Sequence, residues 1–224
     1  MRLNAGGQLF VIGCGKVFEA ISNDLEGYGL EISSVHLYCI PDVSSIANKA
    51  EDVFSAVNSI VDNVFIAVDS NALNHARLEL YGRAKFIGLH LNTLIHRTAY
   101  VSQTARLSDN VWIGPGVTIA HNCKIGSDTL INSRARIDSD AEISAHVWIG
   151  AGSCIGGATR VGQHSCLGDD VIIRNGTKIG KHCILDQIGP WEGEIKTGTF
   201  MEASYSSSAN VVGPGYSFER RSQQ

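Results

Sequence analysis

Residues 111–149 read VWIGPGVTIAHNCKIGSDTLINSRARIDSDAEISAHVWI. An aliphatic residue returns at every sixth position: Ile113, Ile119, Ile125, Ile131, Ile137, Ile143 and Ile149. The series runs back without insertion through Leu107 and Val101 to Ile95. It runs forward through Ile155, Val161, Leu167, Ile173 and Ile179 to Leu185, sixteen consecutive hits in all. If about one residue in four is Ile, Val or Leu, chance gives such a run on the order of 10⁻¹⁰.

Two companion positions keep the same register. A small or short-branched residue stands two before each aliphatic, as in Val117, Cys123, Thr129, Ala135, Ala141 and Val147. A turn former commonly stands one after it, as in Gly114, Gly126, Asn132, Asp138, Gly150 and Gly156. These residue types tolerate the positive φ that a corner demands. The pattern predicts a parallel β-helix with three hexapeptides to a triangular coil of eighteen residues. At a strand spacing of ~4.8 Å, its five to six coils make a prism about 25 Å tall. A β-sandwich would instead show strands spaced 8–12 residues apart with irregular loops.

Around this repeat the composition is ordinary: 224 residues, 44% hydrophobic and 18% charged, which excludes global disorder. A net charge of -4 argues against a nucleic-acid binder, which needs a basic stripe to offset phosphates. No apolar run reaches the ~18 residues of a membrane span, and Leu9–Cys14 is too short for a signal core. A cytoplasmic protein is the expectation. The 24 glycines and six cysteines stand out. No cysteine pair has Cys-x-x-Cys spacing, so reduced thiols acting as small apolar fillers are expected.

The first half reads as α/β. The apolar run LFVIGC (9–14) ends in Gly13-Cys14-Gly15-Lys16, and Val17, Phe18, Ile21 and Leu25 follow at helical spacing. Val35–Ile40 reads as a second strand, ended by Pro41 and Asp42. Val53, Val57, Ile60 and Val61 suggest a helix, Val64–Val68 a third strand and Lys85–Leu89 a fourth. Asp69, Ser70 and Asn71 offer capping groups before a helix over Ala72–Leu80. This order predicts a small parallel sheet. Gly13-x-Gly15 leaves two readings open: a tight turn only, or a turn whose helix start receives a phosphate. It lacks the third glycine of the dinucleotide fingerprint, so an oxidoreductase has no further support.

The repeat resembles the left-handed β-helix of hexapeptide-repeat acyltransferases. Over residues 8–185 the chain is similar to bacterial sugar O- and N-acyltransferases of the sialic-acid O-acetyltransferase and nucleotide-aminosugar N-acetyltransferase type. VFIAVDSNAL (64–73) and TLIH (93–96) look like their joining segments. The resemblance implies an α/β parallel-sheet domain over 1–92 that holds a nucleotide sugar. It further implies an all-β left-handed parallel β-helix over 93–188 and an irregular tail over 189–224 able to cap it. A homotrimer is implied, with acetyl-CoA or another acyl-CoA in the groove between neighbouring prisms. By position, Gly13, Gly15 and Asp42 would hold the nucleotide.

The family motif in the prism is Glu-His-(Asp or Glu)-Cys, whose His takes the acceptor's proton while the acid fixes its tautomer. Counted from TLIH without a gap, the motif falls on Asp138-Ser139-Asp140-Ala141, and a second family His becomes Trp148. A gapped register places it on Ala120-His121-Asn122-Cys123, one coil lower. Either way, His121 and Ser139 should be stacked neighbours ~5 Å apart between backbones. A merely solvated His121, and corner roles for Asp138 and Asp140, stay open. An amine acceptor only has to lose a proton after attack, to the departing thiolate, water, Asp138 or Asp140. A hydroxyl needs stronger activation, so a serine at the base position favours N- over O-acylation. In the matching segment Gly156-Gly157, the Gly157 N–H would bind the thioester carbonyl; a plain corner pair is the alternative. His146, His164 and His182 should form one column, whose spacing the repeat imposes, so no metal is expected there. His96 belongs to the joining motif and is read as structural.

Two functions follow. One is an acyl-CoA-dependent N-acyltransferase acting on a nucleotide-linked amino sugar for surface polysaccharide. The other is a catalytically silent scaffold or regulatory trimer of the same fold, motivated by the missing family histidines.

Overall fold

A computed structural model describes residues 7–40, 52, 54–70, 74–202 and 209–210. Strands β1 (Leu9–Cys14), β2 (Val35–Cys39), β3 (Asn63–Val68) and β4 (His90–Leu91) form a parallel sheet in the order β2-β1-β3-β4. Helices α1 (Lys16–Asn23) and α2 (His75–Phe86) cover its two faces. Apart from Asn63, the central strands carry no polar side chain but a cysteine, because both faces are buried. Phe10, Ile12, Val64 and Ile66 pack on Ala76, Leu80 and Ala84 of α2. Leu9, Val11, Phe65 and Ala67 pack on Val17, Phe18 and Ile21 of α1 and on the prism. The fourth strand is not at Lys85–Leu89: α2, with Leu80 and Ala84 on its buried face, runs on to Phe86, so pairing starts only at His90. The expected helix start at Ala72, like Asn71 and Asp42, lies outside the described residues.

From Leu94 onward the chain winds into a parallel β-helix with three walls. The first wall starts at Leu94–Ile95, the second at Tyr100–Val101 and the third at Arg106–Leu107. Each strand pairs with the one eighteen residues on, so Ile113, Ile131, Ile149, Leu167 and Leu185 stack in one interior column. From Ile113 to Leu185 every repeat aliphatic is buried, whereas Ile95 at the first coil is 38% exposed. Polar residues at the small positions satisfy themselves: Thr129, Ser153, Thr159 and Ser165 donate to the carbonyls of Ser144, Gly168, Arg174 and Gly180. The six cysteines are free thiols. Burial pushes the Cys166 thiol up to about 11, which makes it an unreactive filler.

Positive φ is not where the turn formers suggested. It falls three residues after the aliphatic, on Asn122, Asp128, Arg134, Asp140, His146, Ala158, His164, Asp170 and His182 as well as on glycines. The glycines one place after the aliphatic serve close approach between coils instead. A Cβ at Gly126 would lie 2.5 Å from the Ala145 nitrogen, and one at Gly162 would lie 2.4 Å from the Gly180 oxygen.

The six-residue period ends at Leu185, yet the walls continue. Trp191 bridges to Ile173, Glu194–Ile195 extends the third wall and Thr199–Met201 the first. Ala209–Asn210 then adds an antiparallel strand. The α/β domain is docked on the first wall, whose outward residues Leu94, Trp112 and Leu130 are buried beneath it. The Trp112 indole N–H donates to the Tyr28 hydroxyl at 3.0 Å.

Candidate active site

The corner between the second and third walls carries the column His121, Ser139, Gly157 and Asn175. Each stands eighteen residues from the next, so side chains of successive coils lie directly above one another. His121 and Ser139 are in contact as the period required, with Ser139 Oγ 2.9 Å from His121 Nδ1. Ser139 is half-buried and His121 exposed. Asp138 and Asp140 share this corner but serve other partners. Asp138 lies 3.9 Å from the Arg136 guanidinium, and Asp140 accepts from the Asn122 side chain at 3.2 Å.

Gly157 sits directly above Ser139, where an added Cβ would come within 3.2 Å of the Ser139 carbonyl. Its N–H, expected to face a thioester, donates to Asn175 Oδ1 at 3.0 Å. Asn175 was not singled out from the sequence, although its place eighteen residues after Gly157 marks it. A Cβ at Gly156 would lie 2.6 Å from the Asn175 backbone nitrogen, so close approach of the next coil already calls for glycine there. Trp148 belongs to the first wall, across the prism from this corner, and is not brought to Ser139.

At the carboxyl ends of the sheet strands, Gly13 is the penultimate residue of β1 and Gly15 turns the chain into α1 with φ of 86°. A Cβ at Gly13 would lie 1.8 Å from the Ala67 oxygen, so its glycine serves strand packing. The N–H groups of Lys16 and Val17, which a phosphate would use, are held by the Asp69 carboxylate at 2.8 and 3.1 Å. Asp69 thus caps α1 rather than the helix after it. Nearby, a cavity of about 480 Å³ opens between Ser70 and the first wall, lined by Trp148, Cys166, Asp169, Asp186 and Phe200.

Two of the other histidines, His96 and His146, lie where the two domains meet. His96 contacts Asp24 at 2.9 Å and Thr98 at 2.7 Å, a structural joint. His146, His164 and His182 stack ring on ring at 4.9 Å. The lowest, His146, meets Asp128 at 2.9 Å beside the buried Arg77. Among the described residues, no three His, Cys, Asp or Glu side chains group as metal ligands. Among them, too, no helix is long and apolar enough to cross a membrane.

Burial pushes the His164 imidazole down to about 4, reinforced by its neighbours His146 and His182. Burial lowers His182 as well. In the unfolded chain a histidine titrates at about 6.5. Between that value and about 4, the unfolded state binds a proton that the folded state refuses. His164 therefore makes stability fall as pH drops through this window, with its full share present above it. Urea unfolding across the window should show a flatter pH dependence for His164→Leu than for wild type; parallel curves would contradict the assignment.

An α/β domain followed by a parallel β-helix is a fold that this chain shares with several solved proteins. A family model described as GMPPB C-terminal domain matches residues 89–197. A mutant of GDP-perosamine N-acetyl transferase from Caulobacter crescentus, solved with CoA and GDP-perosamine, superposes with a TM-score of 0.75 at 22% identity. The match covers 93% of this chain and 99% of that one. The acetyltransferase domain of PglB from Neisseria gonorrhoeae, solved with acetyl coenzyme A, gives 0.74 at 18% identity over 87% and 96% of the two chains. WeeI from Acinetobacter baumannii gives 0.60 at 12% identity over 90% and 99%. A search of curated protein sequences finds no match.

Proposed function

We propose that this chain is an acyl-CoA-dependent N-acyltransferase that transfers an acetyl group to a nucleotide-linked amino sugar for surface polysaccharide. The observation that carries this reading is end-to-end likeness, over both domains, to an enzyme solved with CoA and GDP-perosamine. The reading includes a left-handed winding, a cytoplasmic location and the catalytic corner Asp138, Ser139, Asp140 and His121. Acyl-CoA lies along that corner past Gly156 and Gly157, with Asn175 giving up the Gly157 N–H to the thioester. The nucleotide lies at the carboxyl edge of the sheet near Gly13 and Gly15, with Asp42 as a further binding residue. There it either displaces Asp69 from the start of α1 or binds beside it.

The homotrimer has geometric support. The α/β domain sits on the first wall, and the corner between the second and third walls lies across the prism. A sugar held by one chain therefore meets the corner of a neighbouring chain.

The test is CoA release from acetyl-CoA with GDP-perosamine and other nucleotide 3-amino and 4-amino sugars. Turnover with an amine, and none with the matching hydroxyl sugar, is expected. No turnover together with no CoA binding across the panel would overturn the proposal. It would leave the silent scaffold or regulatory trimer, which the serine at the base position and the occupied Gly157 N–H favour. A rise in melting temperature with acetyl-CoA counts against that second reading.

A further inference from the structure

We propose that Ser139 and His121 work as a proton relay, in which the serine takes the acceptor's proton and passes its own to the histidine one coil below. This rests on the acyltransferase reading above. A hydroxyl has one proton to give and two lone pairs to receive with, so it can accept and donate at once, but it cannot store a proton at neutral pH. An imidazole can. The structure joins the two: Ser139 Oγ lies 2.9 Å from His121 Nδ1. When the ring carries its proton on Nε2, Nδ1 is the acceptor that the serine needs.

The two carboxylates on this corner face other partners. Asp140 holds Asn122 and Asp138 lies toward Arg136; no hydrogen bond joins either carboxylate to the pair among the described residues. Ser139 is the inner member, half-buried and directly beneath Gly157, while His121 is exposed and can return its proton to water. The repeat makes the arrangement possible, since residues eighteen apart stack without any further design.

The step balances. The amine nitrogen forms a bond to the thioester carbonyl carbon, and the C–S bond breaks with CoA leaving as thiolate. The extra proton on nitrogen moves to Ser139 Oγ as the serine's own proton moves to His121 Nδ1. The imidazolium then protonates the thiolate directly or through water. The products are an amide and CoA thiol, with the enzyme unchanged.

The full-length protein is assayed with acetyl-CoA and the best amine acceptor of the panel above, GDP-perosamine first. Ser139→Ala and His121→Ala should each lower kcat by about 10²-fold while leaving KM for acetyl-CoA nearly unchanged. Combining them should cost little more than either alone. His121→Ala should also shift the acid limb of the pH–rate profile, which a merely structural histidine would not do. Ser139→His placed in the His121→Ala background should restore both rate and limb, because the imidazole then stands at the inner position. Wild-type turnover with an unaffected His121→Ala variant overturns the relay and leaves the acyltransferase reading intact. So does an acetyl group found on Ser139 by mass spectrometry after incubation with acetyl-CoA alone, which would make the serine a nucleophile. Absence of both wild-type turnover and CoA binding across the panel overturns the acyltransferase reading, and the relay with it.

Discussion

Asp128→Ala is expected to destabilise the protein by about 3–5 kcal/mol, the cost of leaving a buried charge without its partner. Asp128 sits at the joint between prism and α/β domain, and its side chain and that of Arg77 are fully buried. Its carboxylate takes Arg77 Nε at 3.1 Å, Asn110 Nδ2 at 2.7 Å and His146 Nδ1 at 2.9 Å. The alanine variant removes all three bonds and leaves the guanidinium with two backbone carbonyls, those of Val68 and Asp128. For a chain of this size the melting temperature should fall by roughly 6–20 °C. Urea and thermal unfolding of the whole chain give the measurement. The double variant Arg77→Met with Asp128→Leu should recover most of the loss, since an apolar pair in place of a buried ion pair is often neutral. A single variant that melts like wild type would show that the pair is dispensable.

Trp112→Ala should cost about 3–5 kcal/mol, as large-to-small changes in a core do. Trp112 is 2% exposed and lies between the sheet's inner face and the first wall. Both domains line the space that it fills, so the loss loosens their contact as well as the core. Burial drives the Tyr28 phenol up to about 12. Water admitted by the missing indole should bring that phenol back toward the ordinary range, which ultraviolet titration reads directly. Trp112→Phe keeps most of the volume and loses only the bond to Tyr28, so it should cost much less. An alanine variant with unchanged stability and an unchanged phenol would refute the docking role of this residue.

The prism was legible because its physics is periodic. One aliphatic per wall per turn is a pattern that a chain displays openly, and the same period put His121 beside Ser139 and the three histidines in one column. Where residues answer to a neighbouring coil or to the other domain, the sequence is silent. Gly126 and Gly162 look like turn glycines but are fixed by backbone atoms eighteen residues away. The corner conformation is carried by residues as unlike glycine as His146 and Arg134. Asp69 looked like a cap for the helix that follows it, and instead reaches across to the start of α1. Trp112 and Trp148 occupy the same outward place two coils apart, and nothing local says which of them the other domain will cover. Ser139 was legible as a position before its partner gave it a chemistry.

A coil in a stack of this kind touches only the coils above and below it, so the prism behaves as a row of linked units whose looseness enters from the ends. The two ends are unequal. At the start, Ile95 is partly open to solvent, while at the finish the walls run on past Leu185 and one of them is closed by an antiparallel strand. His121, Ser139, Gly157 and Asn175 occupy the interior of the row. The corner on which the chemistry is proposed to happen is therefore centred on Ser139, with two second-wall strands on either side, while His121 has a single one below it. It can stay rigid while either end of the prism frays.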